Sequence, residues 1–167
     1  MLSEKLFSKQ CDVRKLNEED IENIYQICKN NTLYYKYCPP FVTYQSIKED
    51  MKALPDKVSI NQKYYVGYFK SGKLLAIMDL IENYPDNKTV FIGFFMSDIS
   101  IQNRGFSSSL IEELCQYLKV LNYKYIQLAW IFDNPQAQHF WLKNGFKPIR
   151  KTVSNSNDIV MLAIREL

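Results

Sequence analysis

The sequence predicts a mixed α/β fold: a mostly antiparallel sheet with one parallel strand–helix–strand crossover and helices on both faces. Three observations predict it. Strand-like runs crowd between residues 64 and 97 and are joined by tight turns, the pattern of an antiparallel meander. From residue 106 the apolar period becomes helical and then alternating again, and a strand–helix–strand unit of that length demands a parallel, right-handed crossover. Rings are abundant, with 12 Tyr and 10 Phe, and aromatic residues favour strands and apolar pockets. The length, 167 residues, suggests one domain over residues 1–167, large enough to bury a core without staples.

Each element has its own signal. Cys11–Leu16 is a short strand candidate. Asn17-x-x-Asp20 matches a capping box, and Ile21, Ile24, Tyr25, Ile27 and Cys28 form the apolar stripe of the helix it opens. Asn30–Phe41 is expected to be irregular, because Pro39-Pro40 stops any helix. A second helix follows over Tyr44–Leu54, ended by Pro55. Tyr64–Phe69 and Leu74–Glu82 flank the hairpin turn Lys70-Ser71-Gly72, and Thr89–Ser97 follows the turn Tyr84-Pro85-Asp86-Asn87 as the next strand. Phe106–Lys119 is a helix with Leu110, Ile111, Leu114, Cys115 and Leu118 on one face. Tyr123–Phe132 is a strand with Ile126, Leu128, Trp130 and Phe132 on one side. Asn134-Pro135 opens a further helix, since Asn caps and Pro suits the first helical position, and Gly145 ends it. Phe146–Lys151 and Ile159–Arg165 form a closing strand pair around the polar turn Ser154–Asp158.

Composition removes several classes of function. Net charge is only +3, and Lys and Arg form no dense block, so nucleic acid is unsupported as a partner, whereas a small phosphate-bearing ligand is compatible. The four cysteines are far apart with no CxxC, which argues against a disulfide framework. One histidine and no acidic cluster make a metal site improbable. No apolar run approaches a membrane span, and Met1–Gln10 does not read as a signal peptide. The expectation is a cytoplasmic protein with reduced thiols.

The segment Ser97–Leu110 carries the chemistry. A strand ends, a loop contains Arg104-Gly105, and a helix starts with the small residues Ser107, Ser108 and Ser109. The first N–H groups of a helix have no internal partners, and with the helix dipole they form an anion site. Gly105 lets the backbone turn and approach a ligand, and Arg104 adds positive charge. A diphosphate suits such a place; a plain turn followed by polar helix residues is the other reading of these residues.

Two motifs in order carry a resemblance. Gln102-x-x-Gly105-x-Ser107 resembles the first signature of the GNAT superfamily of acetyltransferases, and Asn134-x-x-Ala137-x-x-Phe140-Trp141-x-x-Asn144-Gly145-Phe146 resembles its second. The resemblance implies an acetyl-CoA-dependent N-acetyltransferase that transfers the acetyl group directly to a primary amine of a small molecule or peptide. It implies that the crossover strands splay apart and that pantetheine pairs with the backbone of Phe95, Met96 and Ser97. It implies that Gln102–Ser109 holds the pyrophosphate through amides from about Arg104 to Ser108, including those of Gly105, Phe106 and Ser107, with Asn103 also among the cofactor-binding residues. Asn134 is then expected to reach the pantetheine arm, with Phe140 and Trp141 along its far side. The alternatives are that Asn134 only caps its helix and Phe140 only packs in the core.

Two positions depart from the family pattern. Ser107 replaces the usual Gly or Ala, a small change. Trp141 stands where many members carry a proton-donating Tyr, and indole N–H is not a usable acid. Candidate general bases are Glu82 and Asp79; three apart on one strand, they face opposite sides. Glu82, nearer the strand end, is the first choice. Tyr34, Tyr35, Tyr37 and Phe41 are candidates for the acceptor pocket, while His139 reads as a surface residue. An acetyl-CoA-binding module with little turnover is the main alternative. A homodimer through the closing strand pair is compatible with the family. The acceptor amine is not readable.

Overall fold

The computed structural model describes residues 1–167. Seven strands form one sheet in the order β1-β2-β3-β4-β5-β7-β6. They are β1 (Asp12–Lys15), β2 (Lys63–Lys70), β3 (Lys73–Glu82), β4 (Thr89–Ser97), β5 (Tyr125–Ile131), β6 (Lys147–Val153) and β7 (Ile159–Glu166). Only β4 and β5 run parallel; every other pair is antiparallel. The helices are α1 (Ile21–Asn30), α2 (Thr32–Tyr37), α3 (Tyr44–Lys52), α4 (Phe106–Val120) and α5 (Pro135–Lys143). No helix is long and apolar enough to cross a membrane.

Local chemistry sets these boundaries. The Asn17–Asp20 capping box closes on a single 3-10 turn that runs into α1. Thr43 and Ser46 form an equivalent box at the start of α3. Ser71 and Gly72 both have positive φ, 49° and 78°, as the tight β2–β3 hairpin needs. At the end of α5, Gly145 has φ 80°. The Phe146 N–H donates to Trp141 O and the Gly145 N–H to Leu142 O, a Schellman ending. The Trp141 and Phe146 rings meet edge-on at 5.2 Å and complete that ending with its apolar contact. One expectation is corrected: residues 32–37 of the supposedly irregular stretch form α2, because Pro39-Pro40 stops a helix only from behind.

Helices cover both faces of the sheet. On one face α4 buries Leu110, Ile111, Leu114, Cys115 and Leu118 with Val66, Tyr68, Met78, Leu80, Ile126 and Leu128. Full burial of each large apolar side chain is worth about 1.5–3 kcal/mol, so α4 is firmly seated and its first turn has a fixed position. On the other face α1 and α3 bury Ile21, Ile24, Ile27 and Ile47 with Tyr65, Leu74 and Ile77.

The parallel pair is short. β4 and β5 are matched from Thr89↔Tyr125 to Ile92↔Leu128 and then separate. Beyond that point β4 keeps only β3 as a partner and β5 only β7. Gly93 is the reason on the β4 side. The β3 register passes from Leu80↔Ile92 to Asp79↔Phe94, which leaves Gly93 as an extra residue, a β-bulge. A bulge bends its strand and increases the local twist, and here it turns β4 away from β5.

Candidate active site

The separated strands frame a cleft of about 360 Å³ that runs to the first turn of α4. Its walls include Phe95, Met96 and Ser97 from β4, Leu128–Ile131 from β5, Gln102, Asn103, Gly105, Ser107 and Ser108, and Asn134, Phe140 and Trp141. The two sequence motifs therefore meet across one space. Arg104 is exposed and Phe106 packs against the α4-face core; neither side chain lines the cleft.

The loop before α4 is braced rather than capped. The Gln102 side-chain amide donates to the Ser97 carbonyl (3.0 Å) and to Asn31 Oδ1 (2.7 Å). The Asn31 amide donates to the same Ser97 carbonyl at 3.1 Å. The Ser107 hydroxyl bonds the Ser97 hydroxyl at 3.0 Å. These bonds fix the end of β4, the end of α1 and the start of α4 relative to one another. Asn103 and Gly105 have φ 58° and 77°. No side chain caps α4, and its first backbone bond is Ser109 N–H to Gly105 O. The N–H groups of Asn103 through Ser108 donate to no protein acceptor. Such a row of donors at a helix start is the chemistry that binds a diphosphate.

Across the gap, Asn134 is buried and accepts the Ala137 N–H at 3.1 Å, so it caps α5 while it lines the cleft. Phe140 stacks on Phe95 with centroids 5.9 Å apart. Trp141 is held edge-on to Phe140 and Phe146.

Asn31, Tyr34, Cys38, Gly93 and Phe94 also line the cleft. Tyr34 meets Phe94 edge-on at 5.7 Å. Tyr35, Tyr37 and Phe41 do not line the space. Burial pushes the Tyr34 phenol well up, and it also pushes the Cys38 thiol up against the hydrogen bond from Tyr34, so both stay protonated at neutral pH.

The two candidate bases separate completely. Glu82 lies opposite Val90, at the closed end of the crossover, and does not reach the cleft. It is buried and accepts from Tyr64 (3.0 Å) and Tyr123 (2.8 Å) and from the Leu2 N–H at 3.3 Å, and it pairs with the terminal amine at 3.1 Å. Burial alone would raise its carboxyl, but the bonds from Tyr123, the terminal amine and Tyr64 outweigh it and hold the group below the usual range. The expectation for Glu82 is corrected: β3 runs antiparallel to β4, so the end of β3 sits beside the start of β4, away from the opening.

Asp79 lies on the other face, beside the bulge. A Cβ on Gly93, which lines the cleft, would sit 3.0 Å from Asp79 Oδ2; Asp79 itself lies behind that glycine and is not among the lining residues. Asp79 Oδ2 accepts from Lys63 Nζ at 2.7 Å, and Lys63 also donates to Ala53 O at 2.9 Å. Asp79 Oδ1 is buried without a partner. Burial pushes the Asp79 carboxyl above the ordinary aspartate range, and Lys63 opposes this without cancelling it.

Sequence reasoning missed Asn31, Cys38, Gly93, Trp130, His139 and Lys143, all of which line the cleft. Gly93 had a signal, since an isolated Gly inside a strand pattern marks a bulge. His139 is exposed, as expected, and lies at the rim of the cleft.

Known proteins share this sequence pattern and this fold. The chain is 29% identical over 146 residues to a ribosomal-protein-serine acetyltransferase of Escherichia coli, covering 83% of this chain and 80% of that one. An acetyltransferase structure from Thermus thermophilus superposes with a TM-score of 0.76 at 15% identity, covering 95% of this chain and 97% of the other. An N-acetyltransferase from Thermoplasma acidophilum in complex with coenzyme A superposes with a TM-score of 0.65 at 16% identity, covering 93% and 98%. The model of the Acetyltransferase (GNAT) family matches residues 20–146, the span that holds the crossover and both motifs. The chain thus belongs to the GNAT family of acetyltransferases, acyltransferases that use acetyl-CoA.

Proposed function

We propose that this protein moves an acetyl group from acetyl-CoA directly to a primary amine of a small molecule or peptide, with Asp79 as the general base. The observation that carries the proposal is the continuity of the cleft: the opening between β4 and β5 leads without interruption to the uncapped start of α4. The residues present fit the cosubstrate. The N–H groups of Asn103 through Ser108 suit the pyrophosphate, and the free edge of β4 beyond Ile92 offers backbone donors and acceptors to the pantetheine amides. Acetyl-CoA supplies an acetyl thioester, an acyl group already activated toward amines.

The chain's own groups do the rest. The braced loop and the firmly seated α4 hold the cosubstrate in place, and positioning of this kind supplies much of the rate in a bimolecular transfer. The Phe95, Phe140 and Trp141 rings exclude water from one wall. A backbone N–H near Phe95 or Met96 polarises the thioester oxygen in the manner of an oxyanion donor. Asp79, behind Gly93, takes the amine's proton through water that passes this glycine. A carboxyl raised above the aspartate range is the better base for it.

A second reading is favoured by Trp141. Its indole closes the α5 ending and cannot return a proton to a departing thiolate. On that reading the chain binds acetyl-CoA with little turnover.

One experiment separates them. Melting is compared with saturating acetyl-CoA, coenzyme A and ADP; at about 100 times its dissociation constant a ligand adds roughly 2.7 kcal/mol. Thiol release and product mass are then followed with a panel of primary amines. The panel includes a peptide beginning with serine, because one relative is named for a ribosomal-protein serine. It includes spermidine because a spermidine N-acetyltransferase variant from Vibrio cholerae shares the fold at a TM-score of 0.65. A shift with acetyl-CoA and an acetylated amine is the expected result. A shift with no product from any amine supports the second reading, and no shift with any of the three ligands overturns both.

A further inference from the structure

The junction of α1 and α2 is a single residue. α1 ends at Asn30 and α2 begins at Thr32, so Asn31 closes one helix and opens the next. Its backbone, at φ −89° and ψ 56°, is not helical, and the chain changes course there. The Asn31 N–H still donates to Cys28 O, and the Tyr34 N–H to Asn31 O, both at 3.0 Å.

α2 has little of its own to hold it. It is 6 residues long and buries none of them, and a helix that short is not stable by itself. Its rings lean on others: Tyr34 meets Phe94 edge-on at 5.7 Å, and Tyr35 meets Phe41 at 4.9 Å. Yet α2 and its C-cap supply Tyr34 and Cys38 to the cleft. Phe94 is the cross-strand partner of Asp79, so this wall stands on the face of the sheet that carries the proposed base. The Asn31 side chain supplies an anchor. Its amide donates to Ile27 O at 2.8 Å and to Ser97 O at 3.1 Å, and its Oδ1 accepts from Gln102 Nε2 at 2.7 Å. Both amide hydrogens and the oxygen are thus engaged, on α1, on the end of β4 and on the loop before α4. Gln102 in turn is the first residue of the segment that the acetyl-CoA reading gives to the pyrophosphate.

We propose that Asn31 is a positioning residue for acetyl transfer: through Gln102 and Ser97 it holds the α2 wall, on the amine's side, in fixed relation to the loop that holds the cosubstrate. This rests on the acetyl-transfer reading above. Asn31 acts through the elements it joins and needs no contact with the reacting atoms. Transfer depends on the amine and the thioester meeting at the right distance, and a displacement of about 1 Å can cost about 100-fold in rate. The two halves of the site belong to segments some 70 residues apart in the chain, and the Asn31–Gln102 bond spans that separation of 71 directly.

The test has two readouts. The first is kinetic, at saturating acetyl-CoA, with the serine-initiated peptide or spermidine, whichever the panel shows to be acetylated. Asn31→Ala is expected to lower kcat/KM for the amine by about 10–100-fold. Acetyl-CoA affinity is expected to stay within about threefold, because no pyrophosphate donor is removed. Gln102→Ala breaks the same bond from the loop, so the loss in the double variant should fall short of the product of the two single losses. The second readout needs no amine. Cys38, at the end of α2, is half-buried, whereas the other three thiols are buried. Its labelling by an aromatic disulfide reagent, located by peptide mass, is expected to run about fivefold faster in Asn31→Ala, as α2 loosens. Should Asn31→Ala not fold, the same acceleration is read in Gln102→Ala. A lower melting point with unchanged kcat/KM overturns the proposal, since that is a role in stability alone. Single losses that simply multiply overturn it too, as does a Cys38 rate equal to that of the wild type. Failure of the acetyl-transfer reading looks different: the wild type then acetylates no amine, while the Cys38 contrast between wild type and variant remains.

Discussion

The two carboxylates of β3 sit three residues apart and live in opposite conditions. Glu82, at the closed end of the crossover, is saturated: two phenols, a backbone N–H and an amine converge on it. Asp79, at the open end, has one lysine and a buried oxygen with nothing bonded to it. Their carboxyls move in opposite directions, Glu82 down and Asp79 up. The difference is the reason that Asp79, and not Glu82, is the base we propose. A group whose bonds are all made is holding the fold, and any new partner must displace an old one. A group left short of partners is costly to the fold and free to act.

The sharpest way to break this comparison is Asp79→Asn. The neutral amide keeps the shape and loses the base, and kcat is expected to fall by about 10²–10⁴-fold with acetyl-CoA affinity retained. Steady-state kinetics on the amine found by the panel decides it; an unchanged kcat removes Asp79 from the mechanism. The pH profile sharpens the same point. The acid limb of kcat should lie above the ordinary aspartate value of 3.8, because burial raises this carboxyl, and it should vanish in Asp79→Asn.

Gly105→Val tests the other functional end. A branched side chain at φ 77° is strained, and it disturbs the turn that presents the donor row. Acetyl-CoA affinity measured by calorimetry is expected to drop at least about tenfold, and an unchanged affinity would sink the pyrophosphate assignment.

Glu82→Gln should do the reverse of Asp79→Asn. Turnover is expected to be unchanged, and denaturant unfolding should show a loss of about 1–3 kcal/mol, the cost of disturbing a buried bonded group. The folded carboxyl is depressed, so its contribution is present above the unfolded value near 4.5 and is lost as pH falls through the folded one. The difference between wild type and Glu82→Gln should therefore shrink below about pH 4.5. A fall in turnover at neutral pH would erase the distinction between the two carboxylates.

The smallest effect is expected from Trp141→Tyr, where the fold survives because a second ring can keep the contact with Phe146. A rise in thiol release would mean that the native site lacks its acid.

Much of this arrangement was legible in the sequence because the signals were local. The Asn134-Pro135 helix start, the Gly145 stop, the alternation of Ile126, Leu128 and Trp130 and the small residues after Gly105 each depend on neighbours in the chain. What was not legible depended on which end of a strand lies where. Glu82 looked close to the reacting centre because it is last in its strand, yet in an antiparallel meander the last residue of one strand faces the first of the next. The same antiparallel rule that predicted the meander was enough to place Glu82 at the closed end. Asn31 and Cys38 could not be found that way, since only the packing of α1 and α2 against Phe94 brings them to the cleft. The short α2 is not legible because Pro39-Pro40 marks only where a helix must end and leaves residues 32–37 free to form one.

The bulge at Gly93 also changes the phase of β4. Before it, the even-numbered residues Val90 and Ile92 point toward α4; after it, the odd-numbered Phe95 and Ser97 do, and Phe94 and Met96 face the opposite core. The strand is thus written in two frames that meet at one residue. Straightening the bulge with that residue kept in the strand would leave the closed half untouched and exchange every side chain of the open half between the two faces of the sheet. Loss of that one residue, by contrast, would keep each side chain on its face and remove only the bend that turns β4 from β5.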